Sequence, residues 1–353
     1  MLLPGDGIGP EICAGLQPVL AAADGRFGLG LSLETAEVGL AALERTGTTF
    51  LVAVLEAARR SDGIILGPLS TYDYPPAGEG GVNASAAFRK ELDLYANLRP
   101  ARSRPGVASS APDMDLVVVR ENTEGFYADR TMFAGSGEFM PTADLALALR
   151  KVSREGSARI ARQACELAMR RSKRLTIVHK ANVLKLTDGL FYQTVRQVAE
   201  EYPAIEADEA LVDAAASLLV RQPSRFDVIV TTNMFGDILS NLTAELSGGL
   251  GLAGSLNAGD RHAMAQASHG SAPDIAGRDV ANPSSLILAA AMLFDWLGRR
   301  NDAPDLCRAA AAIEAAVDAQ LSEPDERTRD LGGRLGTQAF AQAVADRLAE
   351  GVA

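Results

Sequence analysis

A planar guanidinium makes two parallel hydrogen bonds to a carboxylate, so arginines in unusual places are the first residues to weigh. Three qualify. Arg89 lies in a helical pattern between Phe88 and Leu92, Arg99 stands before Pro100 at an expected helix-to-strand junction, and Arg120 closes the apolar run Leu116–Val119. Arginines at the ends of elements in an α/β protein point into the crevice where ligands bind; three separate structural ion pairs are the plainer alternative. Lys180 follows the run 175–178 with only His179 between them. It is either a cation snorkelling from the sheet edge or a partly desolvated acid/base. Asp237 and Asn241 are four apart and share a helix face, while Asp213 sits among Leu211, Ala214, Leu218 and Leu219. Their oxygens suit a hard cation such as Mg2+ or Mn2+, but a helix cap and a solvated face explain them without metal. The loop His269–Gly277, followed by Ala281-Asn282-Pro283, is either a simple turn or a wrap for an adenosine. In the second case Asp274 accepts both ribose hydroxyls and repels a 2′-phosphate.

These residues need a frame. Runs at 63–67, 116–119, 175–178 and 226–230 read as strands buried on both faces. Helical patterns fall at about 50–60, 83–96, 144–171, 187–201, 208–221, 236–247, 283–298 and 305–321, with Asp208 and Pro283 as start signals. The alternation predicts an α/β protein with a mostly parallel sheet. The segment Gly5-Asp6-Gly7-Ile8-Gly9 has G-x-G-x-G spacing, not the dinucleotide-binding G-x-G-x-x-G, and reads as a tight strand-to-helix turn. Only Met1, Leu2 and Leu3 precede the Pro4-Gly5 turn, so a few residues are expected ahead of them in the native chain. The stretches Pro100–Asp115 and Ser247–Gly259 are candidate crossings between two domains, which a chain of 353 residues leads one to expect.

Composition narrows the partners. Lys and Arg total 34 against 45 Asp and Glu, a net charge of −11 that argues against nucleic acid and anionic membrane. Three scattered cysteines, Cys13, Cys165 and Cys307, fit a reducing cytoplasm better than a disulfide framework. No signal peptide and no membrane-length apolar run is expected.

Taken in order, the segments GDGIGPE (5–11), FRKELDLYANLRP (88–100), RENTEGFY (120–127), VHKANVLKLTDG (178–189), NMFGDILS (233–240) and HGSAPDIAG…ANP (269–283) closely resemble the β-decarboxylating dehydrogenases, the isocitrate and 3-isopropylmalate dehydrogenase family. The resemblance implies a two-domain α/β/α fold that is not a Rossmann fold. Residues 1–98 and 251–353 would form a discontinuous cofactor-binding domain, and 99–250 a smaller domain carrying the contacts of a homodimer. It implies that Arg89, Arg99 and Arg120, with Asn83 and Ser85, bind a small di- or tricarboxylate. Tyr127 would protonate the enol after CO2 leaves, and Lys180 would assist proton transfer in the partner's site. Asp213, Asp237 and Asn241 would hold Mg2+ or Mn2+, with Asp213 supplied across the dimer. His269, Gly270, Ser271, Ala272, Asp274, Ile275 and Asn282 would bind NAD, since an Asp-Ile pair in this loop goes with NAD and a Lys-Tyr pair with NADP. The implied activity is metal-dependent, NAD-linked oxidative decarboxylation of a 2-hydroxy-3-carboxy acid of the isocitrate or 3-isopropylmalate type. The alternatives are a tartrate or D-malate dehydrogenase and a catalytically silent regulatory paralogue. Three positions depart from the pattern. Asn241 replaces a third aspartate, and Gln266 replaces a glutamate. The stretch 82–87 has neither the isocitrate-type Ser-x-Asn order nor the paired leucines of the isopropylmalate type.

Overall fold

The computed structural model describes residues 1–127, 132 and 135–351. Its strands are β1 (Leu2–Leu3), β2 (Ile64–Leu66), β3 (Ala96–Arg102), β4 (Asp115–Glu121), β5 (Glu138–Thr142), β6 (Leu145–Ala148), β7 (Arg174–His179), β8 (Glu206–Leu211), β9 (Val228–Thr231), β10 (Gly254–Ala258) and β11 (Ala263–Ala267). Its helices are α1 (Gly9–Phe27), α2 (Leu40–Thr46), α3 (Val52–Arg60), α4 (Ala84–Glu91), α5 (Arg154–Met169), α6 (Thr187–Ala199), α7 (Val212–Arg221), α8 (Asn233–Ser247), α9 (Ser284–Arg300), α10 (Pro304–Ser322) and α11 (Thr337–Glu350). Nine strands form one sheet in the order β1-β2-β11-β10-β3-β4-β9-β7-β8, and β5 pairs with β6 as a separate hairpin.

Side chains alternate across this sheet, and each face buries its own set. Leu2 and Ile65 join α1, α9, α10 and α11 in one core, while Leu3, Ile64 and Leu66 join Val54, Leu55 and Phe88 on the other face. Further along, Val117, Val119, Leu175 and Ile177 pack on α5 and α6, and Leu116, Val118 and Ile229 pack on α7 and α8. The result is a three-layer α/β/α arrangement. The outer pairs β1/β2, β2/β11, β4/β9, β9/β7 and β7/β8 are parallel, but β11/β10, β10/β3 and β3/β4 are antiparallel. That antiparallel centre separates the sheet from the all-parallel, doubly wound order of a Rossmann fold.

The four expected strands are present as β2, β4, β7 and β9. Three expected helices are shorter than their patterns. The pattern at 83–96 ends at Glu91, and Asp93 takes a positive φ of 48° before β3 begins. Arg99 is therefore a mid-strand residue and not a junction residue. The pattern at 144–171 contains β6 and then α5, whose start is set by Ser153 accepting from Gly156 N at 3.0 Å. The pattern at 208–221 begins with β8, where Asp208 pairs with Thr176, and turns helical only at Val212. Helix α1 was not expected, because Pro10, Gly15, Pro18 and Gly25 mask its period. Pro10 lies in the first turn, where no intrahelical donor is lost, and Gly15 lets Ala341 of α11 approach. Among the described residues no helix is long and apolar enough to cross a membrane.

Candidate active site

Parallel strands bring the C-terminal ends of β4, β9, β7 and β8 to one edge of the sheet, and several of the candidate residues lie along that edge. Arg120 is near the end of β4, Asn233 and Asp237 lie on α8 after β9, Lys180 follows β7 and Asp213 is in the first turn of α7 after β8. Arg120 Nη1 donates to Asp237 Oδ1 at 2.5 Å, and its Nε and Nη2 both donate to Asn233 Oδ1, at 2.9 and 2.7 Å. Arg99, on the neighbouring antiparallel strand, approaches the same Asp237 oxygen at 3.1 Å and donates to Ser240 Oγ at 2.9 Å. Gly236 allows this meeting: a Cβ there would stand 2.6 Å from Arg120 Cγ. Burial pushes the Arg99 guanidinium down to about 10, with the neighbouring charge of Arg120 adding to the effect, and burial lowers Arg120 as well. Two guanidiniums in a poorly solvated place share one carboxylate, so a positive surplus faces any anion that enters. The Tyr127 ring lies under Arg120, 5.8 Å from ring centroid to guanidinium carbon.

Buried amides stiffen this cluster from behind. Asn97 Oδ1 accepts from Arg99 Nε at 2.7 Å, and Asn97 Nδ2 donates to Ser255 Oγ at 2.8 Å. Asn233 Nδ2 donates to Glu124 O at 3.0 Å, which ties α8 to the segment leading to Tyr127. Neither asparagine stood out in the sequence, although each lies inside a segment that did.

Lys180 and Asp213 form a second, more exposed cluster. Lys180 Nζ donates to Asp213 Oδ1 at 2.6 Å, and that hydrogen bond holds the Asp213 carboxyl below its usual range. Strand β9 separates the ends of β4 and β7, so strand spacing alone puts the two clusters about 10 Å apart. Within one chain, Asp213 and Asp237 are engaged by different cations. No group of three or more His, Cys, Asp or Glu able to hold a metal ion exists among the described residues. Asp237 and Asn241 remain one helical turn apart on α8, Asn241 exposed. Their oxygens fit a hard cation in kind, but two donors on one helix fall short of the roughly six that such a cation takes.

On the opposite side, Asn83 caps α4, its Oδ1 accepting from Ala86 N at 3.1 Å. Ser85 is buried and donates to Gln266 Oε1 on β11 at 3.1 Å. Arg89, four residues after Ser85, shares its helix face and is half-buried.

The expected coenzyme loop packs on the N-terminal turn. Ile8 N donates to Ser271 O at 2.8 Å, and a Cβ on Gly7 would stand 2.0 Å from that same oxygen. The glycines thus seat this loop against the turn, with Gly7 at φ 58°. Ser70 Oγ donates to the buried Ser271 Oγ at 2.8 Å. Ala272 takes φ 38°, leaving Gly270 and Asp274 exposed and Ile275 half-buried. Asn282 Nδ2 donates to Asp330 Oδ2 at 3.0 Å, and its Oδ1 accepts from Ser284 N at 3.0 Å. Glu11, in the first turn of α1, accepts from Asp279 N at 3.1 Å and Ala281 N at 3.2 Å. His269 Nδ1 bonds Gly270 O at 2.9 Å, its Nε2 is buried without a partner among the described residues, and burial lowers its pKa.

Residues 1–345 match the family model described as isocitrate/isopropylmalate dehydrogenase. The isocitrate/homoisocitrate dehydrogenase of Thermus thermophilus is 44% identical over 348 residues, covering 98% of this chain and 97% of that one. The 3-isopropylmalate dehydrogenase of Archaeoglobus fulgidus is 42% identical over 349 residues, covering 99% and 98%. The crystal structure of isocitrate dehydrogenase from Methylococcus capsulatus superposes with a TM-score of 0.87 at 41% identity, covering 99% of this chain and 98% of that chain.

Proposed function

From the premise that this chain belongs to the isocitrate/isopropylmalate dehydrogenase family, a family of NAD-dependent decarboxylating dehydrogenases, we propose that it oxidises and decarboxylates a small 2-hydroxy-3-carboxy acid. NAD is the hydride acceptor, and the reaction depends on Mg2+ or Mn2+. The observation that carries this reading is the convergence of Arg99 and Arg120 on the single carboxylate of Asp237. The surplus guanidinium charge is what a substrate carboxylate satisfies, and Arg89 lies on the helix that also presents Ser85.

The chain's own groups then have assignable work. Arg99 and Arg120 hold and orient the carboxylate that leaves. Tyr127, stacked under Arg120, delivers its hydroxyl proton to C3 once CO2 has gone. Lys180 Nζ, bonded to Asp213, serves the second copy's site and relays the proton of the C2 hydroxyl there. Asp237 and Asn241, with Asp213 from a second copy, would hold the divalent cation, which makes the hydroxyl more acidic and steadies the negative charge that develops. The exposed Asp274 carboxylate receives the ribose hydroxyls of NAD.

A homodimer with shared sites fits the separation of the two clusters. It also fits the apolar surface left open. The hairpin β5–β6 exposes Phe139, Met140, Leu145 and Leu147, and Val183, Leu186 and Ile238 are exposed beside Lys180 and Asp237. The same reading divides the chain into 1–98 with 251–353 and 99–250, the crossings falling at β3 and just before β10. Ser85 bonded to Gln266 makes the wall facing C3 polar, which favours an isocitrate-, homoisocitrate- or tartrate-like substituent over an isopropyl group. The test is NADH formation with Mn2+ across isocitrate, homoisocitrate, 3-isopropylmalate, D-malate and tartrate. Turnover of one of the polar substrates is expected; turnover of none, together with no Mn2+ binding by calorimetry, would replace this reading with that of a silent paralogue.

A further inference from the structure

The gap between the two clusters is filled by a buried ion pair that no role above uses. Arg150 and Asp188 have side chains only 8% and 0% exposed. Arg150 Nη1 donates to Asp188 Oδ1 and, at 3.0 Å, to Thr187 Oγ1; its Nη2 donates to Thr232 Oγ1 at 3.1 Å. The guanidinium lies over the rings of Phe126 and Phe235, at 5.8 and 5.2 Å from their centroids. The second oxygen of Asp188 accepts from the backbone N–H of Lys180 at 2.6 Å. On the other side, Lys151 exchanges both backbone hydrogen bonds with Gly125, at 2.8 and 3.0 Å. Arg150 therefore covers the segment that carries Phe126 and Tyr127, while Asp188 fixes the residue that carries the amine.

Taking two charges out of water is unfavourable, and a well-packed apolar pair of similar volume is often at least as stable. What an apolar pair lacks is direction. It cannot accept the Lys180 N–H, cap the end of β9 through Thr232, or fix the plane of a guanidinium between two rings. We propose that Arg150 and Asp188 are positioning residues that hold Lys180 and the Tyr127 segment in fixed relation across β9. The inference rests on the proton-transfer roles given above to Tyr127 in this chain's site and to Lys180 in the second copy's site, so the pair fixes the two contributions relative to each other.

Two readouts test it. The first is kinetic and uses Asp188→Asn, Lys180→Met and the double variant. Asp188→Asn keeps the shape of the side chain and removes its charge. It is expected to lower kcat at least about tenfold with KM for NAD within about twofold, and the double variant is expected to be no slower than Lys180→Met alone. The second needs no turnover: after reductive 13C-methylation of the lysines, the Lys180 resonance, assigned by its loss in Lys180→Met, moves in Asp188→Asn while that of Lys90 does not. If the wild-type protein oxidises no hydroxy acid, the proposed function falls, and the resonance still reports on positioning. Arg150→Lys, which keeps the buried charge but not the fork, serves where Asp188→Asn does not fold, with the same expected losses. An unmoved Lys180 resonance, a kcat within about twofold of wild type in a folded variant, or fully additive losses in the double variant would overturn the inference.

Discussion

Arg120 and Asp237 meet at 2.5 Å because helix α8 lies directly on strand β4 at Gly236. The contact joins an arginine that is almost wholly buried to a carboxylate whose side chain is still 34% exposed. One side chain is thus fixed by the core and the other is open to whatever enters the cleft.

The first prediction follows from that close approach. In Gly236→Ala the added methyl meets Arg120 Cγ and Cβ, and α8 must move outward. Overpacking of this kind costs about 1–3 kcal/mol. The chain is expected to fold with a lower melting temperature and to bind the hydroxy acid at least about tenfold more weakly, because the guanidiniums and Asp237 no longer share one place. Wild-type KM in a folded Gly236→Ala protein would show that the approach is not needed.

Position 241 is the second. Asn241→Asp adds a carboxylate one turn after Asp237, on the exposed side of α8. Titration calorimetry with Mn2+ should give about tenfold tighter binding, the effect of one further negative oxygen donor on a hard cation. Equal affinity in both proteins would mean that 241 is not a ligand.

Coenzyme choice gives the third. Asp274 is exposed on a loop seated by Gly7 and Ser271, so replacing it leaves the frame intact. Asp274→Lys removes the repulsion of a 2′-phosphate and supplies a cation to it. The ratio of kcat/KM for NAD to that for NADP should drop by about a hundredfold or more. An unchanged ratio would place the ribose elsewhere.

The fourth concerns pH. Burial lowers His269 from its ordinary value of 6.5, and lowers His179 likewise. The unfolded chain therefore takes up these protons first as pH falls. Their contribution to stability is fully present above 6.5 and is lost as pH drops from there toward the folded values. Melting temperature should fall between about pH 7.5 and pH 5.5, and His269→Gln should fall less over the same interval. Parallel curves for the two proteins would contradict this sign.

Much of the candidate site was legible in the sequence as a set of positions, because those residues lie at strand ends, and apolar runs mark strand ends well. Arg120, Lys180 and the Gly236–Asp237 pair each follow such a run. Helix α1 was hidden by its own prolines and glycines. The start and extent of strand β3, expected only from a junction at Arg99, were hidden because Ala96–Arg102 has no β-branched residue and contains Pro100. Asn97 and the Arg150–Asp188 pair could not be singled out: what distinguishes them is burial and partners 38 to 160 residues away, which local pattern does not carry.

The central claim is that one hydride transfer and one loss of CO2 occur on the same substrate molecule at this site. The most direct measurement uses a hydroxy acid from the active panel labelled in its C3 carboxyl, with NADH and labelled CO2 followed together. One labelled CO2 per NADH is the predicted result, and NADH without labelled CO2 would contradict it.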